Sequence, residues 1–288
     1  MLAPMNKFLL LGRFGDSIIA LPAFKYIFDQ TGVRPIVVTS TRFGSIYEGC
    51  SYVDAIQIQD QTGADYAKAQ KYCKEKGIEA RVLRWWMADG GDWSDIPLQA
   101  GDPTLVFGKN KWAVNFQMWP NYQTSIWDRT GVPIDLMNKL PLIFDQRNRE
   151  REQALIARVL KKNKKNLPVL LYNFNGHSSP FAAMPECQHV ISKWRDKFFI
   201  VDIGDMVAER IYDMVGLFEV SKLLVSIDTS SLHLSAAVPN LKKIFYTKGD
   251  GWGSSMPSSV GLYANFPYPK AVKKLNSLNA FISSAYNT

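Results

Sequence analysis

Cysteine is scarce in this chain of 288 residues: Cys50, Cys73 and Cys187 are odd in number and widely spaced. Such a set fits neither a disulfide framework nor a metal knuckle. It suits a reducing compartment, so a cytoplasmic location is expected. Long apolar runs are missing too. No stretch reaches the roughly 18 residues needed to cross a bilayer. Met1 to Lys7 leads directly into an apolar run, so no signal peptide is expected. The phosphate-cradling GxxxxGK[ST] loop and the zinc-binding HExxH helix are both absent. So is any Asp-x-Asp pair that would hold a diphosphate through a metal. No metal and no cofactor are expected. Acidic residues are in deficit, 26 against 34 Lys and Arg, for a net charge of +8 and a pI of about 9.2. That balance favours anionic partners such as nucleic acid, a phosphorylated glycolipid or a nucleotide-linked substrate.

What is present is ample core material, with 47% of residues hydrophobic, enough for one large or two medium domains. Lys7 to Leu11 reads as a first buried strand. Gly12-Arg13-Phe14-Gly15-Asp16 is the turn after it, with Asp16 placed to cap the following helix. Pro22 stands one turn in, and Gly32 ends the helix. Ile36–Thr39 and Val53–Ile58 are further strands. Phe43–Glu48 and Asp65–Lys76 are helices, the latter closed by Gly77. Strand alternating with helix predicts a parallel sheet with crossover helices. Arg147 to Lys165 predicts an exposed amphipathic helix with a basic end, and Asn166-Leu167-Pro168 a linker. A second α/β pattern follows, with strands at Val169–Tyr172, Phe198–Val201 and Ile244–Tyr246. Its helices are expected at Glu186–Arg195, Asp205–Val215 and Lys270–Ala285. The predicted class is therefore α/β with two Rossmann-like halves, residues 1–166 and 167–288, whose sheets could face each other across a cleft.

Residues 81–131 differ. Trp85, Trp86, Trp93, Trp112, Trp119 and Trp127 fall there among glycines and prolines, with no clean period. Long loops and short helices are expected, and Trp85, Trp86 and Trp93 are candidate acceptor-binding residues because indoles stack on sugars and bases.

The most informative stretch is 224–234. Leu224 to Ile227 is a short buried strand; Asp228, Thr229, Ser230 and Ser231 form a polar turn; a short helix follows, ending at Pro239. A strand, a polar turn and a helix N-terminus make a candidate phosphate site, with free N–H groups and the positive dipole end facing the ligand. His233 is close enough in sequence to touch a phosphate held there.

These residues resemble a known family. Arg13-Phe14-Gly15-Asp16 followed by Ile18-Ile19-Ala20-Leu21-Pro22 is similar to the N-terminal signature of glycosyltransferase family 9, the ADP-heptose:lipopolysaccharide heptosyltransferases. Val225-Ser226-Ile227-Asp228-Thr229 with Leu232-His233-Leu234-Ser235-Ala236-Ala237 resembles the family's donor motif, in the same order and spacing. The resemblance implies a GT-B fold, with an acceptor-binding first domain and a nucleotide-sugar-binding second domain whose closing helix returns to the first. It implies metal-free, inverting transfer from a nucleotide-diphosphate sugar to a hydroxyl. Asp16 would be the general base. Arg13, Gly15, Asp228, Thr229, Ser230, Ser231, His233 and Lys248 would serve the donor phosphates, with Lys193 as a further basic candidate, and Glu219 the ribose. Ser230 stands where the family usually has glycine, and the family's central Lys-Trp has no clear counterpart. The acceptor stays open between a lipopolysaccharide-like glycan and a hydroxylated base in DNA. A non-catalytic nucleotide-sugar or nucleic-acid binding module is the alternative of another class.

Overall fold

The computed structural model describes residues 6–58, 66–83, 105–108, 111–114, 126–127, 129–137, 139–175, 184–204, 206–227, 229–246 and 274–288. The chain divides into two compact units, with the main break between Leu140 and Pro141 and with Glu48–Ser51 belonging to the second.

The first unit holds a four-stranded parallel sheet in the order β3-β2-β1-β4. Its strands are β1 (Lys7–Leu9), β2 (Ile36–Ser40), β3 (Asp54–Ile58) and β4 (Arg81–Val82). Helix α1 (Phe14–Thr31) crosses from β1 to β2, and α2 (Tyr66–Glu75) lies between β3 and β4. Residues Ser17 to Phe24 of α1 are all buried, as expected of a helix apolar on every side. Phe8 and Phe24 pack with ring centroids 5.2 Å apart on one face of the sheet. Leu9, Leu11, Val38 and Val82 meet Ala69 and Cys73 of α2 in another cluster. Burial raises the Cys73 thiol above its usual range. Helix α1 ends at Gly32 and the turn after α2 uses Gly77, with φ of 67° and 63°, where a Cβ would be strained. Pro22 lies deeper than expected, more than two turns in, because α1 begins at Phe14.

Two findings revise the reading of residues 81–131. Strands β5 (Leu105–Gly108) and β6 (Lys111–Val114) form an antiparallel pair in place of loops and short helices. Trp127 is fully buried and donates its indole N–H to the Pro133 carbonyl at 3.1 Å, so it is a core residue. Trp85, Trp86 and Trp93 lie outside the described residues.

The second unit repeats the scheme, with parallel order β10-β9-β7-β8. The strands are β7 (Val169–Asn173), β8 (Phe199–Asp202), β9 (Leu223–Ser226) and β10 (Lys242–Phe245). The helices are α3 (Arg149–Leu160), α4 (Met184–Ser192), α5 (Met214–Glu219), α6 (Ser230–Leu234) and α7 (Leu275–Asn287). The helix expected over Asp205–Val215 is instead a 3-10 turn at Ile211–Asp213 followed by α5. Helix α7 packs on α4 and β10 of its own unit, with the Trp194 indole N–H donating to Asn279 at 3.0 Å.

The break at 140 rather than 166 has a physical cause. Helix α3 packs on α5 and the Ile211–Asp213 turn, and the pairing is ionic. The Glu152 side chain, 1% exposed, takes Arg147 at 2.5 and 2.9 Å and Arg149 at 3.0 Å. Arg147 also holds Glu219 at 2.5 and 2.8 Å, and Arg151 grips buried Asp213 at 2.9 and 3.1 Å. Gly216 admits this packing, since a Cβ there would lie 2.9 Å from Glu152 Cβ. Buried carboxylates need such partners, and these bind 147–160 to the second unit.

Candidate functional site

In open parallel sheets ligands sit beyond the carboxyl ends of the strands. Each unit is therefore read at that edge.

In the first unit, β1 runs through buried Leu10 and Leu11 into Gly12, and Arg13 takes the cap position of α1. Asp16 is the third helical residue, not the cap. Its Oδ2 accepts the Arg13 backbone N–H at 2.7 Å, which fixes the carboxylate over the helix entrance. Gly12 lies directly against it: a Cβ at residue 12 would stand 2.5 Å from Asp16 Cβ and 2.6 Å from Oδ2. The contact is with the base of the side chain, so a rotamer change cannot relieve it. Gly12→Ala is expected to displace Asp16 and the first turn of α1 at a cost of about 1–3 kcal/mol. A thermal midpoint unchanged from wild type would show that this close approach is not needed. Arg13 is exposed and Gly15 lies in the first turn of α1. Next to them, Phe14 meets Phe43 edge-on with centroids 5.2 Å apart, and the Arg42 guanidinium lies 5.4 Å from the Phe43 ring centre.

In the second unit the carboxyl edge collects a polar cluster. Asn173, last residue of β7, donates from Nδ2 to Ser231 Oγ at 3.0 Å and to Thr229 Oγ1 at 3.4 Å. Its Oδ1 accepts the Asn175 backbone N–H at 2.9 Å. Ser226, last residue of β9, donates to the Ile227 carbonyl at 2.7 Å and lies 3.1 Å from the Thr229 hydroxyl. Thr229 is the cap residue of α6, yet its side chain makes no capping bond to the helix. The hydroxyl that would have covered the first amides is turned to Ser226 and Asn173 instead. The end of β8 contributes Asp202, which accepts the Gly204 N–H at 2.9 Å. A Cβ at Gly204 would come within 2.8 Å of Asn175 Cβ, so the chain there approaches closely. Burial, then a bond to Asp202, pushes the Tyr172 phenol up to about 12.

Of the expected donor residues, the structure brings Thr229, Ser230 and Ser231 to this edge, with Ser231 buried. His233 is also buried, as the fourth residue of α6. Asp228 and Lys248 lie outside the described residues. Glu219 ends α5, four residues before β9 begins at Leu223, and so stands at the amino edge of the sheet. Its carboxyl is held below the usual carboxylate range by its bond to Arg147, against the opposing effect of burial, with Arg149 adding to the lowering. Lys193, directly after α4, also precedes a strand and stands at that amino edge. The residues that sequence reading passed over are Asn173 and Asp202, while Ser226 was read only as part of the donor motif. Their one signal was position, each being the last residue of a parallel strand.

No family profile matches the sequence, and no curated protein does. Solved structures do resemble it along nearly the whole chain. ADP-heptose lipopolysaccharide heptosyltransferase II of E. coli superposes with a TM-score of 0.61 at 12% identity, covering 98% of this chain and 99% of that one. A family 9 glycosyltransferase from Veillonella parvula gives 0.58 at 10% identity, covering 98% of this chain and 90% of its own. The E. coli heptosyltransferase WaaC with ADP gives 0.53 at 12% identity, with 97% and 99% covered. Two parallel α/β units in the right order, matched end to end, give this chain the GT-B type fold of the family 9 heptosyltransferases.

Proposed function

We propose that the protein is a glycosyltransferase that moves a sugar from a nucleotide-diphosphate donor to a hydroxyl of an anionic acceptor. The observation that carries this is the end-to-end likeness to heptosyltransferases, one of them solved with ADP. The donor diphosphate lies over the amides of Ser230 and Ser231, which Thr229 leaves uncapped. Asp202, at the same edge, is suited to accept hydroxyl groups of the donor. The acceptor hydroxyl gives its proton to Asp16 while its oxygen attacks the anomeric carbon. The bond from that carbon to the diphosphate breaks, the electron pair leaves with the nucleoside diphosphate, and the configuration inverts. Developing charge on the leaving phosphate is met by the α6 amides and by His233 of the same helix. No step calls for a metal, in keeping with a sequence that has no Asp-x-Asp pair.

The acceptor we favour is a glycolipid of the lipopolysaccharide-core kind, after the acceptor named for the E. coli relative. The test is release of nucleoside diphosphate from a panel of nucleotide sugars, with and without lipopolysaccharide-core acceptors and hydroxymethylated duplex DNA. Acceptor-dependent release with the glycolipid is the expected result. Release only with DNA would reassign the acceptor. Donor binding with no release under any condition would leave a binding module in place of an enzyme.

A further inference from the structure

The four connections that enter the second sheet do so at its amino edge, away from the polar cluster at the carboxyl edge. Lys161, Lys162, Lys164 and Lys165 precede β7, and all four are exposed. Lys193 and Lys197 precede β8, Lys222 immediately precedes β9, and Lys242 opens β10. None of the eight pairs with a carboxylate among the described residues. Asp196, exposed in the connection to β8, is an acidic neighbour of the set, and Glu219 just before Lys222 is already held by Arg147 and Arg149. The chain has 34 basic and 26 acidic residues, so without these eight lysines it would have 26 of each. Eight lysines, as many as the net charge of the chain, thus lie along one edge about 14 Å wide across four strands.

Helix ends explain only part of this. The C-termini of α3 and α4 point to the same edge and favour a cation each. Lys222 and Lys242 donate to the last carbonyls of α7, at Tyr286 and Ala285. Four lysines in five residues after α3 exceed what one helix end needs.

From this edge we infer a docking surface for an anionic lipid bilayer. Lysine clusters of this size attract acidic headgroups without needing the geometry of a bidentate fork. The rings nearby are not free for bases. Lys197 lies 5.3 Å from the Trp194 ring centre and 5.1 Å from that of Tyr286, and Trp194 is buried. Stacking on nucleobases, which single-stranded nucleic acid would use, is therefore not offered. Val220, 47% exposed in the connection to β9, adds an apolar side chain at the same edge. Attachment is peripheral, since no described helix is long and apolar enough to cross a membrane.

The test is co-sedimentation of the intact protein, without donor, with vesicles of phosphatidylcholine alone or mixed with phosphatidylglycerol. Binding is expected with the anionic vesicles only, and is expected to fade with salt as the screening length shortens from ~10 Å at 0.1 M to ~3 Å at 1 M. The triple variant K162E/K164E/K165E should lower the bound fraction at least tenfold. K71E/K74E/K76E, with the same charge change on exposed positions of and after α2, should leave it close to wild type. Equal loss in both triples would reduce the effect to net charge and overturn the proposal. So would wild-type binding to neutral vesicles, or retention on duplex DNA at salt that releases the vesicles. Should a glutamate triple fail to fold, K162Q/K164Q/K165Q set against K71Q/K74Q/K76Q makes the same comparison with half the charge change.

Discussion

Asp16→Asn should lower turnover by about 10²–10⁴-fold while the nucleotide-sugar donor still binds. The substitution separates two duties of one side chain. The carboxylate holds the Arg13 N–H at the entrance to α1, and an amide oxygen at the same position can accept that bond as well. What asparagine cannot do is take a proton from an alcohol. The fold and the first turn of α1 should therefore survive, and the loss should fall on the chemical step. Single-turnover kinetics and calorimetric titration of donor measure the two separately. Asp16→Ala removes both duties and should show the same kinetic loss with a stability lower by roughly 1 kcal/mol for a lost capping bond. Near-wild-type turnover in Asp16→Asn would remove Asp16 from the chemistry and leave it as a helix-capping residue.

Glu152→Ala should cost about 3–5 kcal/mol of stability, because it leaves Arg147 without its most buried partner. The Arg147 side chain is itself only 11% exposed and spans Glu152 and Glu219, so the loss opens the join between α3 and α5. Urea unfolding of the second unit reads this directly. A change under ~1 kcal/mol would show that Glu219 alone satisfies Arg147. The same network predicts a pH dependence. Glu219 has its folded pKa lowered, first by the bond from Arg147. A lowered carboxyl contributes stability that is fully present above the unfolded carboxylate range. That stability is lost as pH falls through the folded value. Unfolding midpoints measured downward from neutral pH should therefore drop on the acid side. Arg147→Met should flatten that drop.

Much of the scheme was legible in the residues. The end of α1 at Gly32, the turn at Gly77 and the strand-turn-helix at Leu224–Leu234 follow from local signals that need no partner from elsewhere in the chain. Asn173 was not legible in this way. On paper it is one more residue at the start of a polar loop. In the fold it is where β7 meets the turn after β9, donating to a serine 58 positions away. Glu219 shows the opposite case. Its closeness in sequence to the donor strand suggested a ligand, yet a residue just before a parallel strand stands at the far edge from one just after it. Trp127 was one of six tryptophans in a stretch without a clean period, and its burial could not be known without the turn that brings Pro133 to its indole.

The sequence by itself determined two runs of alternating strand and helix, the glycines that end helices, and the polar turn ahead of α6. Those features depend on side chains a few residues apart, which pattern and propensity report well. Only the tertiary structure decided that α3 belongs to the second unit, that Arg147 binds Glu219 across 72 positions, and that one edge gathers eight lysines that pair with no carboxylate among the described residues. The reason is that strand order, here β10-β9-β7-β8, sets which distant residues become neighbours, and no local period encodes that order.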